Sequence, residues 1–433
     1  MERVPLDNRK TFTLAIVGGG IAGLALAISL YHRGIKVQMY ERAAAFGEIG
    51  AGVSFTPNAL QAMKLCHPDI YEAFLKVCTR NTAPEKSDVF FDYVRGYDPS
   101  GHAGEIVFTA RNEFGQNAVH RAHFLDEVVK LLPQEGIVEF GKLLTSLEET
   151  SEGVTLRFAD GSVRHADAVL GCDGIKSAVR RSMFPGHPCA NPTYTHKYAY
   201  RGLIPIDAAT AAVGPELGQN SFMHLGPGGH VLTFPVNHGA TLNVVAFYTD
   251  PNEWSDHERL TRTGTREQAL RDFGTWGEPV RKLLSMCDET LPVWAIFDLG
   301  HPAPSFAKGR IAILGDAAHA TSPHNGAGAG MGIEDAAVLS AILASDYVTR
   351  PKHLQAALQA YDVARRERGL WLVRASRELG KIYDWQGKYG DDMGKIEGQL
   401  KDMQKVLFDV NVAQMCEEAI ADAAQRIAPR SRL

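Results

Sequence analysis

Residues 13–41 read TLAIVGGGIAGLALAISLYHRGIKVQMYE, and the expectations for the rest of the chain start from this segment. Thr13–Val17 is a short apolar run, typical of a buried strand. Ile21–Tyr31 is rich in Ala and Leu, which favours a helix, and Lys36–Tyr40 returns to a strand-like composition. Segments in this order and at this spacing predict a β-α-β unit, the building block of a parallel sheet.

The glycines between the first strand and the helix fit the pattern G-x-G-x-x-G, with Gly18, Gly20 and Gly23 surrounding Ile21 and Ala22. In such a loop the first glycine allows a tight turn and the second lets the backbone approach a pyrophosphate. The third lets the helix pack closely on the strand. The helix N-terminus then offers unpaired N–H groups to phosphates. The alternative is a glycine turn with a structural role only.

Glu41 and Arg42 follow the second predicted strand, and Glu41 lies 41 − 23 = 18 residues beyond Gly23. A carboxylate at this distance can accept a hydrogen bond from a ribose 2′-OH, and it disfavours a 2′-phosphate. The tightly held dinucleotide is therefore expected to be FAD or NAD and not NADP.

Two later segments repeat the sequence of strand, turn and helix. Residues 171–180, GCDGIKSAVR, place Asp173-Gly174 after a strand and before a basic helix start, which is also consistent with a simple capped helix. Residues 311–320, IAILGDAAHA, end a strand in Gly315-Asp316, and residues 322–332 continue as SPHNGAGAGMG. Because each glycine costs backbone entropy, this density favours close approach of the backbone to a flat or phosphorylated ligand. The spacing is not that of a second G-x-G-x-x-G loop.

The composition is that of a globular protein of more than one domain. The chain has 433 residues, 45% of them hydrophobic and 22% charged, and a net charge of −5. There is no Lys/Arg-rich run, so a nucleic-acid partner is not expected. The six cysteines form no CxxC pair, which indicates free thiols in a reducing compartment and predicts no metal site. The uncharged run Leu14–Leu30 contains four glycines, which argues against a membrane span.

Localisation signals are sparse. The first ten residues have no apolar core of a secretory signal, so a cytoplasmic location is the default expectation. Ser431-Arg432-Leu433 resembles a peroxisomal tripeptide and leaves that compartment as the alternative.

The remaining patterns predict further sheet and then helices. Val154–Phe158 and Val163–Leu170 flank Asp160-Gly161, a strong hairpin signal. Residues 192–250 are predicted to be sheet, a helix is expected from about Gly332, and the chain from Lys352 onward is expected to be mostly helical. Leu354, Ala357, Leu358 and Tyr361 fall at helical spacing and are predicted core positions.

The three turns together resemble the fingerprints of the single-component FAD-dependent aromatic hydroxylases, the para-hydroxybenzoate hydroxylase class. The resemblance implies an α/β protein: a Rossmann-like FAD-binding domain with an inserted mixed β-sheet substrate domain and a helical C-terminal tail. It implies FAD-binding parts at 1–80, 111–185 and 299–350, and substrate-domain segments at 81–110 and 186–298. Residues 351–433 form the helical C-terminal region.

The resemblance also implies which residues bind the cofactor. Arg121 matches an arginine near the pyrophosphate, Asp316 the ribityl region, and Pro323–Gly328 a turn near the reactive edge of the flavin. Cys172 stands where the class commonly has a small Ala. The predicted set is Gly18, Gly20, Ile21, Ala22, Gly23, Glu41, Arg42, Gly52, Val53, Arg121, Asp173, Gly174, Asp316, Pro323, Gly326, Ala327, Gly328 and Ala329.

The chemistry of the class implies reduction of FAD by NADH or NADPH, addition of O₂ to give a flavin hydroperoxide, and attack by an electron-rich ring. The phenol must be ionised, which calls for a base with a pKa near neutrality. His230 and His324 are the candidate catalytic histidines, with hydrogen-bonded structural histidines as the alternative. Arg201 could bind a phenolate or carboxylate, or could be a surface arginine. Phe222, Phe234 and Phe247 are candidates for an apolar roof that excludes water, and equally for ordinary core.

Within the class, two branches compete. Residues 47–55, 230–236 and 323–328 look like salicylate 1-hydroxylases, whereas residues 194–202 resemble fungal polyketide hydroxylases, including dearomatising ones. Phe234 stands where the dearomatising enzymes have a tyrosine, which favours the salicylate-like branch. Asn325 departs from the glutamine expected in bacterial salicylate hydroxylases.

The resulting expectation is an NAD(P)H-consuming flavoprotein monooxygenase that converts salicylate to catechol with release of CO₂. The predicted substrate-binding residues are Arg201, His230, Phe234, Phe247 and His324. The alternatives are hydroxylation of a larger polyketide-derived phenol, a flavin oxidase without monooxygenation, and a plain NAD-dependent dehydrogenase. The expected partners are a small phenolic acid and O₂, and the chain is a monomer or homodimer without a membrane span.

Overall fold

The computed structural model describes residues 5–47, 52–133 and 136–428. Within these ranges, no helix combines the length and apolar character needed to cross a membrane. The six cysteines all lie in described segments and are free, as predicted.

A six-stranded sheet forms the first layer, with the strand order β18-β19-β11-β1-β2-β7. Neighbouring strands from β19 to β7 are parallel, and β18 is an antiparallel edge strand. Helix α1 (Ile21–His32) connects β1 to β2, so the predicted β-α-β unit is confirmed. The strands are β1 (Leu14–Val17), β2 (Val37–Tyr40), β7 (Val138–Glu139), β11 (Ala168–Gly171), β18 (Ala307–Lys308) and β19 (Ile311–Ile313).

A second, eight-stranded sheet has the order β16-β17-β12-β15-β14-β13-β4-β5 and is mixed, because β13 pairs with β4 in parallel. The structure thus confirms the predicted α/β class with a mixed sheet beside a Rossmann-like sheet, whereas the domain boundaries stay a prediction. The strands are β4 (Val89–Arg95), β5 (Ile106–Arg111), β12 (Thr193–Pro205), β13 (Phe222–Gly226), β14 (Gly229–Val236), β15 (Thr241–Thr249), β16 (Thr261–Thr265) and β17 (Thr290–Asp298).

Two small sheets complete the strands. One has the order β10-β9-β8, and the other pairs β3 with β6. Their strands are β3 (Gly52–Ser54), β6 (Ala118–His120), β8 (Leu144–Glu149), β9 (Val154–Phe158) and β10 (Val163–Ala166).

Most of the remaining chain is helical. The predicted core positions Leu354, Ala357, Leu358 and Tyr361 are fully buried on α11, which confirms the predicted helical tail. The other helices are α2 (Pro57–Cys66), α3 (Pro68–Val77), α4 (Arg121–Val129), α5 (Ala178–Met183), α6 (Ile206–Gln219), α7 (Arg266–Asp272), α8 (Glu278–Ser285), α9 (Asp316–His319), α10 (Gly328–Ala344), α11 (Pro351–Tyr383), α12 (Met393–Phe408) and α13 (Val412–Ile427). Short 3₁₀ turns lie at Pro84–Lys86, Pro188–Ala190, Asn237–Gly239 and Pro323–Asn325.

Three sequence predictions of local structure were wrong. Residues 192–250 are not all sheet, because the Ala-rich segment 206–219 forms α6. The strand predicted over Val163–Leu170 breaks at Asp167, whose carboxylate accepts a hydrogen bond of 2.7 Å from the backbone of Thr13. The chain there leaves the hairpin for β11 of the six-stranded sheet. The helix expected from about Gly332 begins one turn earlier, at Gly328.

A buried ionic cluster joins α10 to α11. The Arg365 guanidinium is fully buried and lies 2.7 Å from the carboxylates of both Glu334 and Asp335. Asp335 also accepts hydrogen bonds from the Gly315 backbone (2.9 Å) and from the His319 ring (2.6 Å). The cluster therefore fixes the turn that follows β19.

Candidate functional site

Three turns meet at the carboxyl edge of the parallel sheet, where β1, β11 and β19 lie side by side. Gly18 follows β1 with a φ of 104°, a conformation that favours glycine. A Cβ at this position would clash with the carbonyl group of Cys172, at the end of β11. Gly315 follows β19, and its φ of 55° again favours glycine. The three separated turns predicted from the sequence are therefore neighbours in space, as the general rule for ligands at strand ends requires.

The turns open into a cleft of about 1430 Å³ that continues to the eight-stranded sheet and the C-terminal helices. Of the predicted cofactor-binding residues, Gly23 alone does not line it. The lining residues are Gly18, Gly20, Ile21, Ala22, Glu41, Arg42, Gly52, Val53, Arg121, Asp173, Gly174, Asp316, Pro323, Gly326, Ala327, Gly328 and Ala329.

The start of α1 has the geometry of a phosphate cradle. Among the described residues no side chain caps this helix, whose N-cap is Gly20. A Cβ built on Gly20 meets nothing within 4 Å, so the open space of the cleft reaches the backbone. An uncapped helix start with free space in front of it fits the pyrophosphate of a dinucleotide.

Glu41 is anchored beside this cradle. One carboxylate oxygen accepts a hydrogen bond of 2.7 Å from the Gly19 N–H, and the other accepts one of 2.8 Å from the Ala43 N–H. These contacts fix the carboxylate at the end of β2, and each oxygen keeps lone-pair capacity for a ribose hydroxyl.

Gly23 and Asp173 have contacts within the protein. A Cβ at Gly23 would clash with the Gly18 carbonyl oxygen, so this position is needed for packing. The Asp173 carboxylate accepts hydrogen bonds from the backbone N–H of Ala178 (2.7 Å) and Val179 (3.1 Å), and so caps α5. Burial raises the pKa of this carboxyl group. Asp173 thus has two roles. It caps a helix, which was the alternative explanation of its segment, and it also lies on the cleft wall.

One face of the eight-stranded sheet forms the other wall of the cleft. Arg201 of β12 is paired with Val245 of β15. Phe247 lies two residues further along β15 and is paired with His230 of β14. Directly paired residues and residues two apart share one face of a sheet. The residues of this face that line the cleft are Phe91, Arg201, Met223, Leu232, Phe234, Val245, Phe247 and Trp294. Phe222, suggested for an apolar roof, lies on the opposite face, where Lys86 lies 4.8 Å from the centre of its ring.

Arg201 is a cation in apolar surroundings. Its guanidinium carbon lies 4.4 Å from the centre of the Trp294 ring. Its Nε is buried and has no hydrogen-bond partner among the described residues. Burial, followed by the nearby charge of Arg121, lowers the pKa of Arg201 to about 10, so the group stays protonated at neutral pH.

The two candidate histidines are in contact, but only one of them lines the cleft. His324 lies on the cleft wall, and its Nδ1 is 3.2 Å from Nε2 of His230. His230 is fully buried behind it, and its Nδ1 donates to the Asp384 carboxylate over 2.6 Å. Burial lowers the pKa of both imidazoles, and the proximity of His230 and Lys197 lowers that of His324 further. The structure therefore places His230 beside a cleft residue and not on the cleft surface.

Several residues of the site have no local sequence signal. Asp384 follows the last residue of α11, and Lys197 belongs to β12, so only the tertiary fold brings them to His230. Trp294 could have been suggested from the alternation along β17. The α12 residues Leu400, Met403, Gln404, Leu407 and Phe408 also line the cleft and were not predicted.

Two sequence signals fall wholly or partly outside the described residues. Residues 48–51 of the salicylate-like segment 47–55 are not described, whereas Gly52 and Val53 are on the cleft wall. Ser431-Arg432-Leu433 also lies outside the described ranges.

Comparison with known proteins gives a consistent result. A family model described as the FAD binding domain matches residues 115–376. The FAD-dependent monooxygenase pigN of Monascus ruber is 44% identical, covering 96% of this chain and 97% of the relative. The 6-methylsalicylate 1-monooxygenase atA of Aspergillus terreus is 43% identical, covering 88% of this chain and 84% of the relative. Among solved structures, a substrate complex of salicylate hydroxylase superposes with a TM-score of 0.85 at 33% identity, covering 95% of this chain and 98% of the other.

Proposed function

This chain belongs to the FAD-dependent aromatic monooxygenases, and from that premise we propose that it hydroxylates a phenolic acid, salicylate first, at the ring carbon that carries the carboxylate. One NAD(P)H and one O₂ are consumed. One oxygen atom enters the ring, the other leaves as water, and the carboxylate leaves as CO₂ to give catechol.

Bound FAD, reduced by the nicotinamide, supplies the activation of O₂. The chain would hold it along the three turns, with the pyrophosphate at Gly20 and the ribityl chain at Asp316. Asp316 is exposed to the cleft at the start of α9, whereas its neighbours Gly315 and Ala317 are buried.

Arg201 carries the substrate assignment. Arg201 is half-buried, lines the cleft and stacks on Trp294, and its Nε has no hydrogen-bond partner among the described residues, so its guanidinium can bind an anion. A carboxylate or a phenolate of a bound ring would satisfy it in apolar surroundings that strengthen the contact. The similarity to a salicylate hydroxylase and to a 6-methylsalicylate 1-monooxygenase supports the same substrate class.

His324 would take the phenol proton. It lines the cleft, but burial lowers its pKa well below the usual value, so the imidazole is neutral at neutral pH and is a weaker base than the near-neutral one expected from the chemistry of the class. The aromatic rings of Phe234 and Phe247 would exclude water from the reacting ring.

The test is a panel of phenolic acids incubated with the FAD-loaded protein, scored for NAD(P)H oxidation, CO₂ release and product identity. We expect salicylate to give catechol and CO₂ in step with NAD(P)H oxidation. NAD(P)H oxidation that yields only H₂O₂ with every phenolic acid would contradict the proposal.

A larger polyketide-derived phenol is the second candidate substrate. The cleft wall extends to apolar side chains of α12, together with Phe90 from β4. A single ring bound at Arg201 would leave the apolar side chains of α12 without contact to the substrate. An alkyl-substituted phenol would bury them. Turnover of alkylated phenols without CO₂ release, and none of salicylate, would favour this candidate.

A further inference from the structure

One face of α11 packs closely against the segment that follows β19. Ser376 and Gly380 lie 7 and 11 residues beyond Gly369, spacings that place all three on one side of an α-helix, and all three are buried. A Cβ at Gly369 would lie 2.7 Å from the His319 ring, and one at Gly380 would lie 2.5 Å from the His324 ring. Because glycine weakens a helix interior, two glycines at these contacts indicate that the close approach is needed.

Ser376 is bonded to the turn Pro323–Asn325 from this face. Its side chain is fully buried, and its hydroxyl oxygen accepts a hydrogen bond of 3.0 Å from the side-chain amide of Asn325. Asn325 lines the cleft and Ser376 does not. The bond therefore ties a piece of the cleft wall to the helix that is packed against it.

The turn depends on this bond for its attachment to α11. Within the turn, the Gly326 N–H donates to the Pro323 carbonyl over 2.9 Å, and Gly326 has a φ of 61°. The next polar contact with α11 lies earlier in the chain, where the Thr321 hydroxyl donates to the Leu372 carbonyl over 3.5 Å, a long hydrogen bond. Without the bond to Ser376, packing alone would hold the turn against the helix.

The turn leads directly into α10, which begins at Gly328. The N-cap is Ala327, and no side chain from the described part of the chain caps this helix start. Both residues line the cleft, so unpaired N–H groups and the positive end of the helix dipole border the space assigned to FAD. Because reduction adds electrons to a flavin, dipoles in this position favour the reduced cofactor. The placement of the turn should therefore affect the reduction potential.

We propose that Ser376 is a positioning residue, which acts through the Asn325 amide to hold the turn Pro323–Asn325 and the start of α10 against bound FAD. The proposal rests on the proposed function in placing FAD along the three turns. It is independent of which phenol is hydroxylated.

The alternative is a hydrogen bond that stabilises packing and nothing else. In that case Ser376→Ala would lower the free energy of unfolding and leave the properties of the cofactor unchanged. If Ser376 positions the turn, the same substitution changes the flavin itself. The variant removes one oxygen atom and adds no bulk, so the fold is expected to persist.

The first test is Ser376→Ala, measured as the FAD-loaded protein without any phenol. We expect a changed flavin absorption spectrum and a reduction potential that is more negative. Loss of a neutral hydrogen bond should weaken the preference for the reduced cofactor about 2- to 10-fold, which corresponds to about 10–30 mV for two electrons. Ser376→Thr, which keeps the hydroxyl, should lie closer to the parent.

Hydrogen exchange measures the turn directly and needs neither FAD nor substrate. In the apoprotein, the peptide that contains residues 323–328 should exchange about 2- to 10-fold faster in Ser376→Ala than in the parent. A failure of the proposed substrate leaves this readout and the spectrum unaffected, so the two proposals can fail separately.

A second set of variants tests the route through Asn325. Asn325→Ala should shift the potential in the same direction, and adding Ser376→Ala to it should change nothing further, because both remove the same bond. Ser340→Ala is the matched control, since Ser340 is also fully buried on a helix and bonds to Ser29 (2.7 Å) away from the cleft. It should leave the spectrum unchanged. A Ser376→Ala protein with the parent's spectrum, potential and exchange rate, or additive shifts in the double variant, would overturn the proposal.

Discussion

At the scale of single residues, some positions face the open cleft, whereas similar residues close to them in the chain or in the same sheet pack within the protein. A Cβ at Gly20 would point into open space, whereas a Cβ at Gly23, three residues later, would clash with the Gly18 carbonyl oxygen. Arg201 and Arg262 both lie over aromatic rings, but from opposite faces of one sheet. Substitutions at Gly20 and Gly23, and at Arg201 and Arg262, therefore distinguish effects on ligand binding from effects on the free energy of unfolding.

Gly20→Val and Gly23→Val should fail for different reasons. The Gly20 variant should fold with a melting temperature close to that of the apoprotein and lose FAD, because its side chain fills the phosphate cradle. The Gly23 variant should lose stability itself, by about 1–3 kcal/mol, because overpacking shifts the backbone. Flavin absorbance after gel filtration, together with melting of the apoproteins, distinguishes the two. A yellow Gly20 variant would contradict the cradle assignment.

Arg201→Ala should raise KM for acidic phenols by about 10- to 100-fold, since a charge-assisted hydrogen bond contributes about 1.5–3 kcal/mol. The KM for NAD(P)H should change far less. Arg262→Ala, which removes a guanidinium 5.1 Å from the centre of the Trp254 ring on the other face, is the matched control. Equal effects of the two substitutions on the phenol KM would count against a substrate contact.

The pH profile of ring hydroxylation should reflect His324. Burial lowers its pKa well below the usual value, so the neutral base persists on acidification and the rate should fall only at a pH well below that at which an unperturbed histidine is protonated. His324→Ala should abolish this acid limb and lower the rate at neutral pH. An unchanged profile of kcat against pH in the variant would remove His324 as the base.

At the scale of elements, the strands and turns of the FAD-binding part could be predicted because their signals are local. Glycines mark the strand ends, and apolar runs mark the buried strands on either side of Gly18 and Gly315. Helix α6 was missed because its segment lies between two strongly strand-like runs. Asp384 could not be found, since its partner His230 is 154 residues away and no local pattern connects them.

The junction of α10 and α11 gives a prediction at this scale. Arg365→Met leaves Glu334 and Asp335 buried with one cation fewer, which should lower the free energy of unfolding by about 3–5 kcal/mol. Because Asp335 also holds the Gly315 backbone, the variant should release FAD faster. Urea unfolding and flavin fluorescence measure the two effects. Arg366→Met, at a half-exposed neighbour, should change stability by less than about 1 kcal/mol.

At the scale of the whole molecule, the cleft is a joint product of the two large sheets and the C-terminal helices. The sequence could predict the cofactor side, which is made of backbone turns. On the other wall it suggested Arg201, Phe234, Phe247 and His324, which line the cleft, but it missed the side chains that β4 and α12 bring to the same wall. Substrate size is thus a property of how the elements pack.

Met403 tests substrate size at this scale. Met403→Trp should narrow the end of the cleft formed by α12 and lower kcat/KM for alkylated phenols at least 10-fold, while turnover of salicylate stays within about twofold. Lys401→Trp places the same ring on the exposed side of the helix and serves as the control. Competition between salicylate and an alkylated phenol in one reaction gives the ratio directly. Equal loss for both substrates would argue against an apolar extension.

The adjacency of β1, β11 and β19 in one sheet has a consequence for biosynthesis. Their turns, at Gly18, Asp173 and Asp316, are separated by most of the chain, and the cradle is complete only when the last of them has left the ribosome. A chain that ends before Gly315 lacks one wall of the cradle. In a chain that is still being synthesised, the apolar strand edges stay uncovered until β19 has been made. Flavin uptake is therefore expected only after the turn at Asp316 has emerged, and chains truncated before it should be cleared as colourless, protease-sensitive fragments.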